Sequence, residues 1–318
     1  MDIRLVGIDG GGTKTDAVLC AGDGTVLSRR IGEASSPTSQ SLERAEACLC
    51  DVLKALLSPY GGLAARLDGV FAGISGGGLK KHRLVLGAHL CDRLTNARNV
   101  VSGSDSINAI SCALGQEDGI VAISGTGSSV FARTEGRMRQ VGGWGYLLGD
   151  EGSGYDLGRM ALRAVLLAWD GRGGQTFLSE LCAKRLGVPV QEGIETLYEG
   201  GRTLIASFAP CALEAREAGD EVAAVLCERA ARGLLEAIVA AGRWVDLPRR
   251  PVAMAGSVWQ SGGYFERQIG EWLGSGYELV RAQQPPVYGA VVEAARQAGI
   301  AVDADFERRF ANTITGGA

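Results

Sequence analysis

Two short glycine and threonine segments, each set between apolar runs, constrain this chain more than any other feature. The first is Asp9-Gly10-Gly11-Gly12-Thr13-Lys14-Thr15 and the second is Ser124-Gly125-Thr126-Gly127-Ser128-Ser129. Ile3 to Ile8 precedes the first and Ala17 to Cys20 follows it, while Ile120 to Ile123 and Val130 to Ala132 flank the second. Such runs read as strands, so each segment is expected at the tip of a hairpin. Glycine at a tip removes the Cβ that would hold an anion away from backbone N–H groups. Threonine and serine hydroxyls add further donors. The pattern is a phosphate cradle in two halves, with Gly11, Gly12, Thr13, Lys14 and Thr15 on one tip and Thr126 and Gly127 on the other.

Spacing excludes two better-known phosphate loops. A P-loop places glycine directly before its Lys-Ser/Thr pair and opens a helix, whereas Thr13 precedes Lys14-Thr15 and a strand pattern follows. The dinucleotide fingerprint fails because Thr15 stands where its third glycine belongs. One Gly-rich hairpin is an ordinary turn; two matched ones argue for a shared ligand.

The chain has 318 residues, 46% of them hydrophobic, and a formal net charge of −4. That is enough for two domains and carries no basic excess to favour nucleic acid. Apolar stretches such as Leu234 to Ala241 are too short to cross a bilayer. Met1-Asp2-Ile3-Arg4 runs straight into a strand pattern, so no signal peptide and a cytoplasmic location are expected. The eight cysteines form no Cys-x-x-Cys pair and read as reduced core residues. His82 and His89 lie near a single cysteine, Cys91, which is too little for structural zinc.

From Ile3 to Arg30 the pattern is a β-meander, with Gly22-Asp23-Gly24 as its second turn. A helix follows, with Leu42, Ala45, Leu49, Val52, Leu53 and Leu56 on one face. Next come a strand (Leu67 to Ile74), the turn Ser75-Gly76-Gly77-Gly78, a helical stretch and a strand ending near Val101. The order is βββαβαβα. At Ile120 a second meander begins, followed by helices starting near Ser153, Gln175 and Glu221, a strand (Val252 to Ala255) and a last helix from about Val287 to Ala298. A repeated meander with its loop predicts an α/β protein of two related domains facing an interdomain cleft, residues 1–118 and 119–318, with the last helix free to pack back on the first.

Taken together, these motifs resemble the actin-like ATPase (ASKHA) superfamily, built from two ribonuclease H-like domains. Asp9 to Thr15 is similar to its first phosphate motif, Ser102 to Ile107 to its first connecting segment, Ile123 to Ser128 to its second phosphate motif and Ala255 to Trp259 to its adenosine motif. Gly142-Gly143-Trp144-Gly145 and Gly149-Asp150-Glu151-Gly152-Ser153 resemble a segment of the BadF/BadG/BcrA/BcrD-type branch, which includes N-acetylglucosamine kinases. The ROK branch's Cys-rich zinc loop has no counterpart here.

The resemblance implies an ATP- and Mg²⁺-dependent kinase acting on the 6-hydroxyl of an amino sugar, N-acetylglucosamine first, as a homodimer. Phosphoryl transfer needs charge neutralisation, in-line positioning and a carboxylate for the acceptor's proton. Asp105 matches the family's catalytic aspartate; its bland alternative is a helix N-cap. Asp9 corresponds to the magnesium aspartate, or else caps a turn. Trp144 and Asp150 suit a sugar wall and a hydroxyl acceptor, or else a core residue and an acidic first helical turn. By the same correspondence Ser36, Ser75, Ser128, Ser129, Gly143 and Gly145 contact sugar, and Gly256, Ser257 and Ala230 contact nucleotide. Amino-sugar kinases carry asparagine near Ser36 and at the position of Ser129. Glucosamine, N-acetylglucosamine and N-acetylmuramic acid therefore all stay open. Two other readings are an ATPase that activates a dehydratase through an iron–sulfur cluster, which needs cysteines at an interface, and a sensor without catalysis.

Overall fold

A computed structural model describes residues 3–77 and 79–315, so Met1, Asp2 and Gly78 named above lie outside it. The chain opens with the expected meander, β1 (Arg4–Gly10), β2 (Lys14–Ala21) and β3 (Val26–Glu33). Helix α1 (Leu42–Leu57) follows, its first turn capped by Ser41, whose side chain accepts from the Arg44 N–H. Then come β4 (Gly69–Ile74), α2 (Lys80–Arg93), β5 (Val100–Ser104) and α3 (Asp105–Leu114). The sheet order is β3-β2-β1-β4-β5, with β1, β4 and β5 parallel.

β1 and β4 are buried along most of their length and therefore read as almost unbroken apolar runs. Val6, Ile8, Ala72 and Ile74 meet Leu49, Leu53, Leu86 and Leu90 of α1 and α2 on one face. Leu5, Val18 and Phe71 point to the other. In register, Gly10 lies opposite Ile74 and Ile74 opposite Ser104. The segments that follow β1, β3, β4 and β5 thus emerge at one edge of the sheet, where ligands of open α/β sheets gather.

The second half repeats the scheme. β6 (Gly119–Ser124), β7 (Ser128–Thr134) and β8 (Arg137–Val141) form a meander, followed by α4 (Gly154–Trp169), α5 (Leu178–Leu186), α6 (Ile194–Ala206), α7 (Ala209–Glu217) and α8 (Glu221–Gly242). β9 (Arg250–Ala255), α9 (Ser257–Gln260), α10 (Tyr264–Leu273) and β10 (Tyr277–Arg281) complete it. Its sheet order, β10-β9-β6-β7-β8, is the first sheet's order with equivalent strands in equivalent places. α7 carries no strong periodic signal, α6 is interrupted at Gly201, and β10 is five residues that are all partly or fully exposed.

Two compact units result, residues 1–117 with 282–318, and residues 118–281. The expected second domain ran to 318 with its last helix free to pack back on the first; α11 (Pro286–Gln297) does so, and α12 (Ala304–Thr313) joins it in the first unit. The reason is burial. α11 is apolar nearly all round, and Val287, Val291 and Ala294 supply the missing layer over Leu5 and Phe71. Gly7 lets it approach, since a Cβ there would stand 2.6 Å from the Val291 nitrogen.

Candidate active site

In the first unit, three loops at the sheet edge are stitched to one another. The Gly11 N–H donates to Lys14 O (2.9 Å), closing the hairpin tip, and Gly12, Thr13 and Lys14 are exposed. Ser35 N–H donates to Gly11 O (3.2 Å) and Ser75 N–H to Gly10 O (2.7 Å). Ser36 Oγ donates to Ser75 O (2.9 Å), which ties the loop after β3 to the turn after β4. Thr15 is fully buried, and its hydroxyl donates to Glu33 O (2.6 Å). Thr15 and Ser36, expected to touch phosphate and sugar, are therefore turned inward and hold the loop framework. Ser75 stays half-buried at the same edge.

Asp9 ends β1 beneath this framework. Asn108 of α3 brings its Nδ2 within 2.7 Å of Asp9 Oδ1, 3.2 Å of Gly73 O and 3.3 Å of Ile8 O. Three acceptors around one amide nitrogen fix its orientation. Asp9's pKa is pushed up to about 6, first by burial; the Asn108 hydrogen bond opposes this, and repulsion from Asp105 and Asp16 adds to it. Asp105 opens α3 as its first helical residue, half-buried. The cap is Ser104, whose Oγ accepts from Ser106 N–H (3.3 Å) and donates to Asp105 Oδ1 (3.1 Å). The alternative reading of Asp105 as the N-cap is thereby corrected.

In the second unit the loop after β6 is built the same way. Gly125 N–H donates to Gly127 O (2.9 Å), and the first turn of α4 holds the loop from behind, Gly154 N–H to Gly125 O (2.7 Å) and Tyr155 N–H to Thr126 O (3.1 Å). Thr126 is exposed at the tip; Ser128 is buried, its hydroxyl donating to Glu151 O (2.7 Å). Gly256 follows β9 at φ +99°, where a Cβ would meet Ser124 O at 2.3 Å. Only glycine fits there. Ser257 is exposed beside it, its N–H 3.9 Å from the position of a Cβ on Gly125.

The segment between β8 and α4 turns on left-handed glycines, Gly142, Gly143, Gly145 and Gly152. Gly143 backs onto Ser129, whose Cβ would lie 2.4 Å from its own. Trp144 is 66% exposed, so the core alternative for it is excluded. Asp150 is 3% exposed, at φ +62°, a conformation rare outside glycine. Its Oδ2 accepts from Arg202 Nη2 (2.7 Å) and its Oδ1 from Gly145 N–H (3.3 Å). Burial raises its pKa, and Arg202 is the chief opposing influence. Ala230 departs from expectation: it is fully buried on α8, its carbonyl against Gly152, and presents nothing to a nucleotide. A small side chain there serves helix packing.

The family model for BadF/BadG/BcrA/BcrD ATPases matches residues 6–294. The chain belongs to the BadF/BadG/BcrA/BcrD ATPase family. Within the curated relatives of this ATPase family member, an N-acetylmuramic acid/N-acetylglucosamine kinase of Clostridium acetobutylicum is 28% identical over 91% of this chain and 97% of its own. An N-acetyl-D-glucosamine kinase of Dictyostelium discoideum is 30% identical over 74% of this chain and 77% of its own. A candidate N-acetylglucosamine kinase of Chromobacterium violaceum, solved by crystallography, superposes with a TM-score of 0.71 at 28% identity, covering 91% of this chain and 98% of that one.

Four residues of the two clusters escape sequence reasoning: Ser35, Ser104, Asn108 and Arg202. Ser104 and Asn108 flank Asp105 in sequence, and Asn108 lies one helical turn on, so an asparagine in an otherwise apolar helix was the available signal. Arg202 follows the Gly200-Gly201 break in α6, far in sequence from everything it touches.

Proposed function

We propose that this protein is an ATP-dependent kinase that phosphorylates the 6-hydroxyl of an amino sugar, with N-acetylglucosamine as the first candidate. The observation that carries the reading is Asp105. Its helix is capped by another residue, and its half-buried carboxylate follows β5 at the edge where the loop after β1 also emerges, close enough to Asp9 to repel its charge, which suits a general base for a sugar hydroxyl. The kinase names of the relatives support the reaction class. Thr13, Lys14 and the Gly11-Gly12 backbone are assigned to phosphate on the first unit; Thr126 and Gly127 take that role on the second, with Gly256 and Ser257 toward the nucleoside. Asp150 accepts from sugar hydroxyls; Trp144, Gly143, Gly145 and Ser129 line that site.

Asp9 fits Mg²⁺. It is a single hard carboxylate whose raised pKa and repulsion from Asp105 a cation would relieve, and Mg²⁺ commonly keeps its waters and needs only one or two protein carboxylates beside substrate phosphates. The ion would neutralise phosphate charge; Asp9 holds it and Asn108 orients Asp9. We further propose a cytoplasmic homodimer. An iron–sulfur activator is disfavoured because seven of the eight cysteines are buried, Cys91 being the exposed one.

The test is ADP release from Mg²⁺-ATP with glucosamine, N-acetylglucosamine, N-acetylmannosamine, N-acetylmuramic acid and glucose. Asp105→Ala should cut sugar-dependent turnover by about 10²- to 10⁴-fold, the span typical of general-base loss, with nucleotide binding retained. Sugar-dependent turnover that survives in Asp105→Ala removes it as the base.

A further inference from the structure

Arg202 is the charged group that joins two features of the second unit. Its Nη2 donates to the buried Asp150 Oδ2 at 2.7 Å, and the same nitrogen stands 1.9 Å from where a Cβ on Gly127 would be. The Asp150 carboxylate, 2.7 Å from that point, lies over the same glycine. The missing side chain of the Gly-Thr loop is thus replaced by an ion pair. Asp150 is 4% exposed in its side chain and Arg202 40%, so the arginine reaches in from solvent while the carboxylate depends on it. The direction of reach is set by Gly201, at φ +54° and ψ −147°, which breaks α6 one residue earlier. Tyr146 lies under the guanidinium at 5.8 Å, bracketing it from the other side.

We propose that Arg202 is a positioning residue for the sugar site: it holds Asp150 ionised in its strained conformation and fixes that carboxylate against the Gly125-Thr126-Gly127 loop. The proposal rests on the sugar-kinase reading. An ionised Asp150 accepts two hydrogen bonds from ring hydroxyls, whereas a protonated one must donate once and loses its aim. Among the described residues the other groups facing it are weaker substitutes: Glu151 repels its charge, and the backbone N–H groups of Gly145 and Ser128 are neutral donors, that of Gly145 at 3.3 Å. Burial alone drives the carboxyl toward the neutral form.

The experiment compares wild type, Arg202→Gln and Arg202→Lys in steady-state kinetics between pH 5.5 and 8.5, with melting curves at pH 5 and pH 8 in both the Asp150 and Asp150→Asn backgrounds. Arg202→Gln should raise KM for the sugar about tenfold or more, the usual cost of a lost charged hydrogen bond, with a smaller change in KM for ATP. That KM should climb more steeply than the wild type's as pH falls, since loss of the guanidinium leaves burial to favour the protonated carboxyl, and Arg202→Lys should flatten the profile again. Arg202→Gln should lower the melting temperature more at pH 8 than at pH 5, and Asp150→Asn should abolish that difference. An active wild type with Arg202→Gln unchanged in KM and pH profile overturns the proposal, as does an equal, pH-independent loss in both variants. A wild type that phosphorylates no sugar overturns the kinase reading itself.

Discussion

Asp9 and Asp105 stand close enough at the edge of the first sheet for Asp9 to feel the charge of Asp105. Asp9 has its carboxyl raised from 3.8 to about 6, so the folded state holds this proton more tightly than the unfolded chain. A raised acid costs stability as pH climbs through that interval. The cost is absent below about pH 4, grows between 4 and 6 and is constant above. Asp9→Asn keeps an oxygen for Asn108 and removes the charge. In metal-free buffer it should therefore be more stable than wild type at pH 8, by at most about 3 kcal/mol from the linkage relation, and nearly equal at pH 4; urea unfolding at the two pH values checks this. Adding Mg²⁺ at pH 8 should raise the wild-type midpoint and leave Asp9→Asn unmoved. The position of Asp105 between a strand end and a helix was legible in the sequence; its proposed role as base comes from the family resemblance. The identity of its cap was not legible, because Ser104 and Asp105 are adjacent and both favour that position.

At the scale of elements, α3 carries both Asp105 and Asn108 and is held by α11 through contact of nearly bare backbones. Gly289 makes that possible: a Cβ there would lie 1.9 Å from Asn108 O and 2.7 Å from Cys112 N. Ser111 Oγ donates to Glu293 Oε1 (2.5 Å) at the same crossing, and Glu293 is buried and paired with Arg296. Gly289→Ala should push α11 away from α3, costing roughly 1–3 kcal/mol as overpacking does. It should also reduce turnover without a residue of the site being changed. Thermal denaturation and ADP release on one preparation separate the two effects. Apolar pattern placed α1 and α11, and the starts of α4, α5 and α8, to within a few residues, since each buries apolar side chains against a sheet or helix. It did not single out α6, where Gly201 interrupts the helix, or α12, ten residues of which four are charged, anchored by Phe306 and Phe310.

For the whole molecule the consequence is a first unit that is discontinuous in sequence. Leu5, Val18 and Phe71 meet Val287, Val291 and Phe310, so the chain must be complete before that layer closes. Truncation after Arg281 should leave one face of the first sheet bare. Limited proteolysis of a 1–281 variant is expected to degrade 1–117 and spare 118–281, whereas equal resistance of both halves would show that α11 is dispensable. The repeated meander, the two glycine loops and the Gly-rich segment around Trp144 were determined by sequence alone, because turns and strands are written in local φ/ψ preference and short-period burial. Tertiary structure decided the rest: that residues 282–318 return to the first unit, that Thr15 and Ser36 face inward, that Ala230 is sealed in a core, and that Arg202 reaches Asp150 over a glycine. Each depends on which surfaces remain to be covered once the sheets have formed, and local sequence does not encode that.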